Sequence, residues 1–246
     1  MRVLRTWITT QRVVIAVGVV AVLLEAVCLY VWVYWPQVEP SKSVNHGLSA
    51  KHRAILYNIG DPLAWAPHSQ VLAAFRHSGV VLWDVAKGER VALLPSGIAE
   101  GALAWGPDGN RLATGTRDGT ACLWNTKTRE RLMTLSDHIG WIHDLAWSPD
   151  GNTLAIGGGN RVVLWDVRSG KARNKLEWDF TPFYNVAWSP DGKSLACGSQ
   201  GITLLWDLVS EKPRATLSGS GPRWSPDGKT LYTGEDDIVF LWDANT

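Results

Sequence analysis

Tryptophan recurs along this chain at a fixed interval. Trp83, Trp124, Trp165 and Trp206 follow one another at 41 residues, and Trp242 comes 36 residues later. A second series, Trp65, Trp105, Trp147, Trp188 and Trp224, precedes the first by 18 or 19 residues each time. A third, Leu94, Leu135, Leu176 and Leu217, trails the first by 11. A period near 41 means one supersecondary unit copied five times, which decides the architecture before any local propensity is consulted. Stacked copies bury their apolar faces on one another and present an extended surface, so the pattern points to recognition more than to chemistry.

The third copy shows the unit best. It runs through Ala146-Trp-Ser-Pro-Asp-Gly151, then Asn152 to Gly157, then Arg161-Val-Val-Leu-Trp-Asp166, then Lys171 to Glu177. Pro149-Asp150-Gly151 is a turn with a mechanism: proline presets φ, aspartate caps its own backbone, and glycine accepts a positive φ. The turn recurs as Pro107-Asp108-Gly109, Pro190-Asp191-Gly192 and Pro226-Asp227-Gly228, and in eroded form as Pro67-His68-Ser69. Between turns lie runs of about five residues rich in Val, Leu, Ile and Trp, too short for helices. Each unit therefore reads as four antiparallel strands joined by tight turns.

These residues resemble a known family. The segments LAWSPDG and VVLWD look like WD repeats, and the resemblance covers about residues 51–246. It implies an all-β fold, a β-propeller of five four-stranded WD-type blades. Four copies end in Trp-Asp, and the second ends in Trp124-Asn125. The resemblance also implies a blade-bracing hydrogen-bond set of His, Ser or Thr, Asp and Trp. Here the set is never complete. Thr114, Asp118 and Trp124 lack the histidine; His138 and Trp165 lack the other two members; Thr233 and Trp242 stand with Asp236 or Asp237. Trp83 and Trp206 hold the same indole position in the first and fourth copies.

The strand count bears on closure. The last copy has no fourth strand of its own, and Ala54-Ile-Leu-Tyr57 is an apolar run lacking the three strands that should precede it. Residues 52–58 are expected to supply the missing outer strand, so that the ring is latched by its own ends and has no open edge. The alternative is an open arc completed by another chain.

Residues 1–12 form a short basic tail, with Arg2, Arg5 and Arg12. Val13 to Trp35 is 23 residues carrying one charge, Glu25. A helix of that length spans about 35 Å, enough to cross a bilayer. Trp32, Tyr34 and Trp35 crowd one end as an interfacial belt would, and Pro36 stops the run. A cleaved signal peptide would have a shorter apolar core and small residues at its end. The segment is thus read as a retained single-pass anchor, with 36–50 a polar linker. The three leading arginines favour a cytoplasmic amino terminus and a propeller outside.

From residue 51 onward, 20 Lys and Arg balance 21 Asp and Glu, which offers no electrostatic footprint for nucleic acid. Cys122 and Cys197 fall at core-like strand positions, so no disulfide framework is expected. The six histidines show no metal-ligand spacing beyond the loose His138/His143 pair, so no metal and no cofactor are expected. No catalytic set is visible. The chain reads as a membrane-anchored, non-enzymatic scaffold whose rigid disc binds unidentified protein partners through its loops. A small-ligand sensor or enzyme at the channel mouth is the alternative. It would need Arg76, His77, Arg117, Asp118, Asn160, Gln200 and Asp236 to converge. The partner-binding candidates are Trp141 in one inter-blade loop and Trp178, Phe180, Phe183 and Tyr184 in the next. They either form one exposed apolar patch or pack on one another and cover the blade edges.

Overall fold

The computed structural model describes residues 60–76, 79–96, 101–136, 140–177 and 182–244. The anchor segment 13–35, the linker, the latch segment 52–58, His77, His138, Trp178 and Phe180 all lie outside them. Among the described residues no helix is long and apolar enough to cross a membrane.

Five antiparallel sheets follow one another in chain order. The first blade is β1 (Gly60–Trp65), β2 (Val71–Arg76), β3 (Gly79–Asp84) and β4 (Glu89–Leu94). The second is β5 (Leu103–Trp105), β6 (Arg111–Gly115), β7 (Ala121–Asn125) and β8 (Arg131–Leu135). The third is β9 (Ile142–Trp147), β10 (Thr153–Gly158), β11 (Arg161–Asp166) and β12 (Lys171–Glu177). The fourth is β13 (Asn185–Trp188), β14 (Ser194–Gly198), β15 (Ile202–Asp207) and β16 (Lys212–Ser218). The fifth has three strands, β17 (Ser220–Trp224), β18 (Thr230–Glu235) and β19 (Ile238–Asp243).

The turns do what their residues dictate. Gly109, Gly151, Gly192 and Gly228 all sit at φ between 65° and 71°. The eroded turn lacks glycine and throws the positive φ onto His68, at 55°. In the third, fourth and fifth blades the serine before Pro-Asp-Gly works as a relay. Ser148, Ser189 and Ser225 donate to Asp150, Asp191 and Asp227 at 2.5–2.6 Å, and each hydroxyl accepts the N–H of the residue opening the next strand. The second blade has Gly106 there, and the Arg111 guanidinium grips Asp108 instead, at 2.9 Å. Asn125 replaces the usual aspartate without loss of turn chemistry. Its Oδ1 accepts the N–H groups of Lys127 and Thr128 at 3.0 Å, as Asp207 does for Val209 and Ser210.

Blades join by a repeated device. Trp105, Trp147, Trp188 and Trp224 each donate the indole N–H to a backbone carbonyl of the preceding blade. The acceptors are Ala64, Ala104, Ala146 and Ala187, at 2.9, 3.0, 3.0 and 3.1 Å. Inner strands are thereby stitched together once per blade. Around each stitch, the alternating apolar residues of facing blades close into one core. Ala73, Phe75, Val80, Leu82 and Leu94 of the first blade meet Leu112, Cys122 and Trp124 of the second. The same positions meet at the next boundary, where Ala113, Ala121, Leu123 and Leu135 face Leu145, Leu154, Ile156 and Trp165. Cys122 and Cys197 are buried and unpaired within these cores.

The bracing sets expected from the resemblance are realised only in part. Trp124 Nε1 donates to Thr114 Oγ1 at 3.0 Å, and Trp242 Nε1 to Thr233 Oγ1 at 2.9 Å. The indole N–H groups of Trp83, Trp165 and Trp206 are buried without a partner. At the position of Thr114, two residues past the strand's first leucine, those blades carry Ala74, Ile156 and Cys197, which offer no hydroxyl. Asp118 turns into its own hairpin, accepting from the Thr116 hydroxyl and the Thr120 N–H.

The two ends of the row are not buried as the internal boundaries are. Leu63 and Trp65 of the first blade and Val239 and Leu241 of the fifth are exposed. The segment 52–58, expected to latch the ring, lies outside the described residues.

Candidate functional site

A continuous row of side chains crosses the second, third and fourth blades at the hairpin end of the sheets. The guanidinium carbon of Arg117 lies 4.5 Å from the centre of the Trp141 ring. The Trp141 and His143 rings are 4.8 Å apart and tilted by 36°. His143 meets Tyr184 at 4.8 Å, edge to face at 64°. Gln200 Nε2 donates to the Tyr184 hydroxyl at 3.3 Å.

Four loops build this row. Arg117 and Gln200 come from the β6–β7 and β14–β15 hairpins; Trp141 and Tyr184 come from the connections into β9 and β13. The connections are pinned by backbone bonds. Ile142 N–H donates to the Thr116 carbonyl at 3.1 Å, Phe183 N–H to Gly159 at 2.9 Å, and Tyr184 N–H to Gly198 at 2.9 Å. The Ser199 hydroxyl holds the Pro182 carbonyl at 2.8 Å. A pinned loop presents its side chains with little ordering cost on binding.

Burial depresses the proton affinity of the half-buried His143. It therefore stacks as a neutral ring at neutral pH, and the positive charge of the row is concentrated at Arg117. Trp141 is 42 % exposed. An exposed, rigidly held indole beside a guanidinium suits a partner that offers an apolar or aromatic side chain together with an acceptor or a carboxylate.

The expected aromatic patch divides. Trp141 is on the surface and Tyr184 is half-buried beside it. Phe183 is not a contact residue: it is 0 % exposed and packed among Val162, Leu164, Leu176, Val186 and Trp206, between the third and fourth blades. Its place is five residues before the inner-strand tryptophan, the place Ile142 holds one blade earlier, also fully buried. His143 was the residue missed. It precedes Trp147 by four, as Tyr184 precedes Trp188, so the repeat frame already paired the two. Of the polar residues proposed for a channel-mouth pocket, Arg117 and Gln200 join the row.

One titrating group sits at the boundary of the third and fourth blades. Asp144 Oδ2 accepts the Val186 N–H across that boundary at 2.9 Å, and Oδ1 accepts the Leu145 N–H at 2.9 Å. Burial pushes its carboxyl up to about 6; those two hydrogen bonds and the charge of Arg223 restrain the rise. Among the described residues no group of three His, Cys, Asp or Glu side chains could hold a metal ion.

Four-stranded antiparallel blades stacked side by side and stitched indole to carbonyl are those of a protein of the β-propeller type. The chain belongs to the WD-repeat family. The family described as "WD domain, G-beta repeat" matches residues 98–125, 129–166, 179–207 and 215–243. It is 36 % identical over 85 residues to the nuclear distribution protein PAC1 of Coccidioides posadasii (strain C735), a stretch covering 34 % of this chain and 17 % of that protein. It is 29 % identical over 91 residues to the WD repeat-containing protein 26 homolog of Arabidopsis thaliana, covering 36 % of this chain and 15 % of that one. The chain thus matches less than a fifth of the length of either relative. WD repeats generally mediate protein–protein interaction and are typically non-catalytic.

Proposed function

We propose that this chain is a membrane-anchored, non-catalytic scaffold that holds a protein partner on the row Arg117–Trp141–His143–Tyr184–Gln200. The row carries this reading: three rings and two polar ends, drawn from three blades, are fixed by backbone bonds and still present Trp141 to solvent. Binding energy in such sites concentrates in a few aromatic and arginine side chains. The anchor rests on the length and apolarity of residues 13–35, and the orientation, with the amino terminus cytoplasmic and the blades outside, rests on Arg2, Arg5 and Arg12.

The test uses full-length protein cross-linked in its native membranes. Trp141→Ala and Arg117→Ala should each lose the same cross-linked partner that the parent retains, with unchanged melting. A partner set identical to the parent's would remove the row from the function. Carbonate extraction tests the anchor separately. Release into the soluble fraction, or a mature protein starting after residue 35, would show a cleaved leader instead.

A further inference from the structure

Arg111 fills a seat at the turn end of the second and third blades. It opens β6, and its guanidinium carbon lies 4.8 Å from the centre of the Trp147 ring. Asp108, in the turn just before it, accepts from its Nε at 2.9 Å. Gly151, in the turn of the next blade, leaves room for it: a Cβ there would stand 2.9 Å from Arg111 Nη2. Under this cover Trp147 is 9 % exposed. A carboxylate, an indole and a glycine, drawn from two blades, thus form a seat for one arginine.

The repeat builds the same seat one boundary later, with a threonine where the arginine stood. Asp150, Trp188 and Gly192 are the counterparts of Asp108, Trp147 and Gly151. Thr153 opens β10 and pairs with Asp166, as Arg111 opens β6 and pairs with Asn125. A threonine is too short to reach over the indole. Between the third and fourth blades the result is a cavity of about 390 Å³, lined by Asp150, Thr153, Trp188 and Gly192 together. Trp188 is half-buried there. Leu164 and Leu208 add apolar surface. Among the described residues the lining carries three carboxylates, Asp150, Asp191 and Glu211, against one guanidinium, Arg173. Hydrogen bonds from Ser148 and Asn152 hold the Asp150 carboxyl below its usual range, and those from Ser189 and Lys193 do so for Asp191, so both stay ionised.

We propose that this cleft is a docking site for an arginine side chain carried on an extended segment of a protein partner. Its guanidinium lies over the Trp188 ring beside the Asp150 carboxylate, as that of Arg111 lies over Trp147 beside Asp108. The molecule itself shows which group covers this kind of seat, and the net negative lining agrees in charge. Arginine fits better than lysine: a planar guanidinium stacks on an aromatic face and still offers N–H groups to carboxylates, whereas an ammonium is a compact, strongly hydrated charge. Cavities of this volume enclose more than a guanidinium, which leaves room for the backbone that carries it. The Glu211 side chain, on the β15–β16 hairpin, makes no hydrogen bond or ion pair among the described residues and can meet the incoming cation. The cleft lies at the opposite end of the strands from the aromatic row, so the inference is independent of it.

The experiment titrates full-length protein in detergent into a rhodamine-labelled peptide, acetyl-Ala-Gly-Arg-Gly-Ala, and reads fluorescence anisotropy. The peptide should bind saturably. The same peptide with citrulline, which keeps the shape and loses the charge, should bind at least about tenfold more weakly. Thr153→Arg supplies the guanidinium from within and should abolish binding with unchanged circular dichroism. Glu211→Gln, at an exposed hairpin position, should weaken binding about threefold and tests the site should Thr153→Arg fold poorly. Arg173→Gln removes a cation from the lining and should tighten binding. Argininamide should compete at least about tenfold more poorly than the unlabelled peptide, because it lacks the flanking backbone. Equal binding of the citrulline peptide overturns the inference, as does a folded Thr153→Arg that binds as the parent does. Absence of saturable binding overturns it too. Equal competition by argininamide would make the cleft a site for a free guanidinium compound and overturn the docking of a protein segment.

Discussion

Trp124 donates its indole N–H to the hydroxyl of Thr114 at 3.0 Å, in the interior of the second blade. The same bond joins Trp242 to Thr233. In the other three blades the tryptophan is retained and the hydroxyl is gone, leaving Nε1 of Trp83, Trp165 and Trp206 buried and unpaired. The fold tolerates an unmet donor in these blades because each indole also buries a large apolar area against the preceding strands. Thr114→Val keeps the shape and removes the acceptor, and should destabilise the protein by about 1–3 kcal/mol. Cys197→Thr places a hydroxyl within the strand position that serves Trp242, and should raise stability by about 1 kcal/mol. Chemical denaturation of both variants reads out the two signs.

Phe183 and Trp141 should separate in the same assay. Phe183→Ala empties a fully buried site and should cost about 3–5 kcal/mol. Trp141→Ala changes an exposed ring, and its cost should stay near or below about 1 kcal/mol. Equal losses would place Trp141 in the core and remove it as a contact residue.

Gly115 and Gly198 mark where neighbouring blades come closest. A Cβ on Gly115 would stand 2.6 Å from Ile142 Cγ2, and one on Gly198 would stand 2.7 Å from Pro222 Cδ. Gly198→Ala should destabilise by about 1–3 kcal/mol, because the proline ring cannot swing aside as a flexible chain end could. The melting temperature checks this.

Asp144 should make stability depend on pH with the sign opposite to that of an ordinary paired carboxylate. Its carboxyl is raised from 3.8 to about 6, so the folded state holds the proton more tightly than the unfolded chain. Its contribution is fully present below about pH 4 and is lost as pH rises through about 6. Asp144→Asn keeps an oxygen for the Val186 N–H and cannot titrate. The variant should therefore gain stability relative to the parent between pH 4 and pH 7, by about 1–3 kcal/mol. Parallel denaturation curves at the two pH values give the difference, and a pH-independent offset between parent and variant would refute it.

Much of this protein was determined locally and could be read from the chain. The 41-residue period, the four short strands and the Pro-Asp-Gly turns depend on residues a few positions apart, and the structure reproduces them blade after blade. The core positions of Cys122 and Cys197 follow from the same alternation. What only the tertiary structure decided are relations between residues some forty positions apart. Phe183 looked like a loop aromatic, yet the strands on either side of its loop close over it. His143 looked incidental until the Trp141 and Tyr184 rings met it from two loops. In each case the sequence specifies the side chain and its strand, while burial and partner depend on which surface the adjoining blade brings against it.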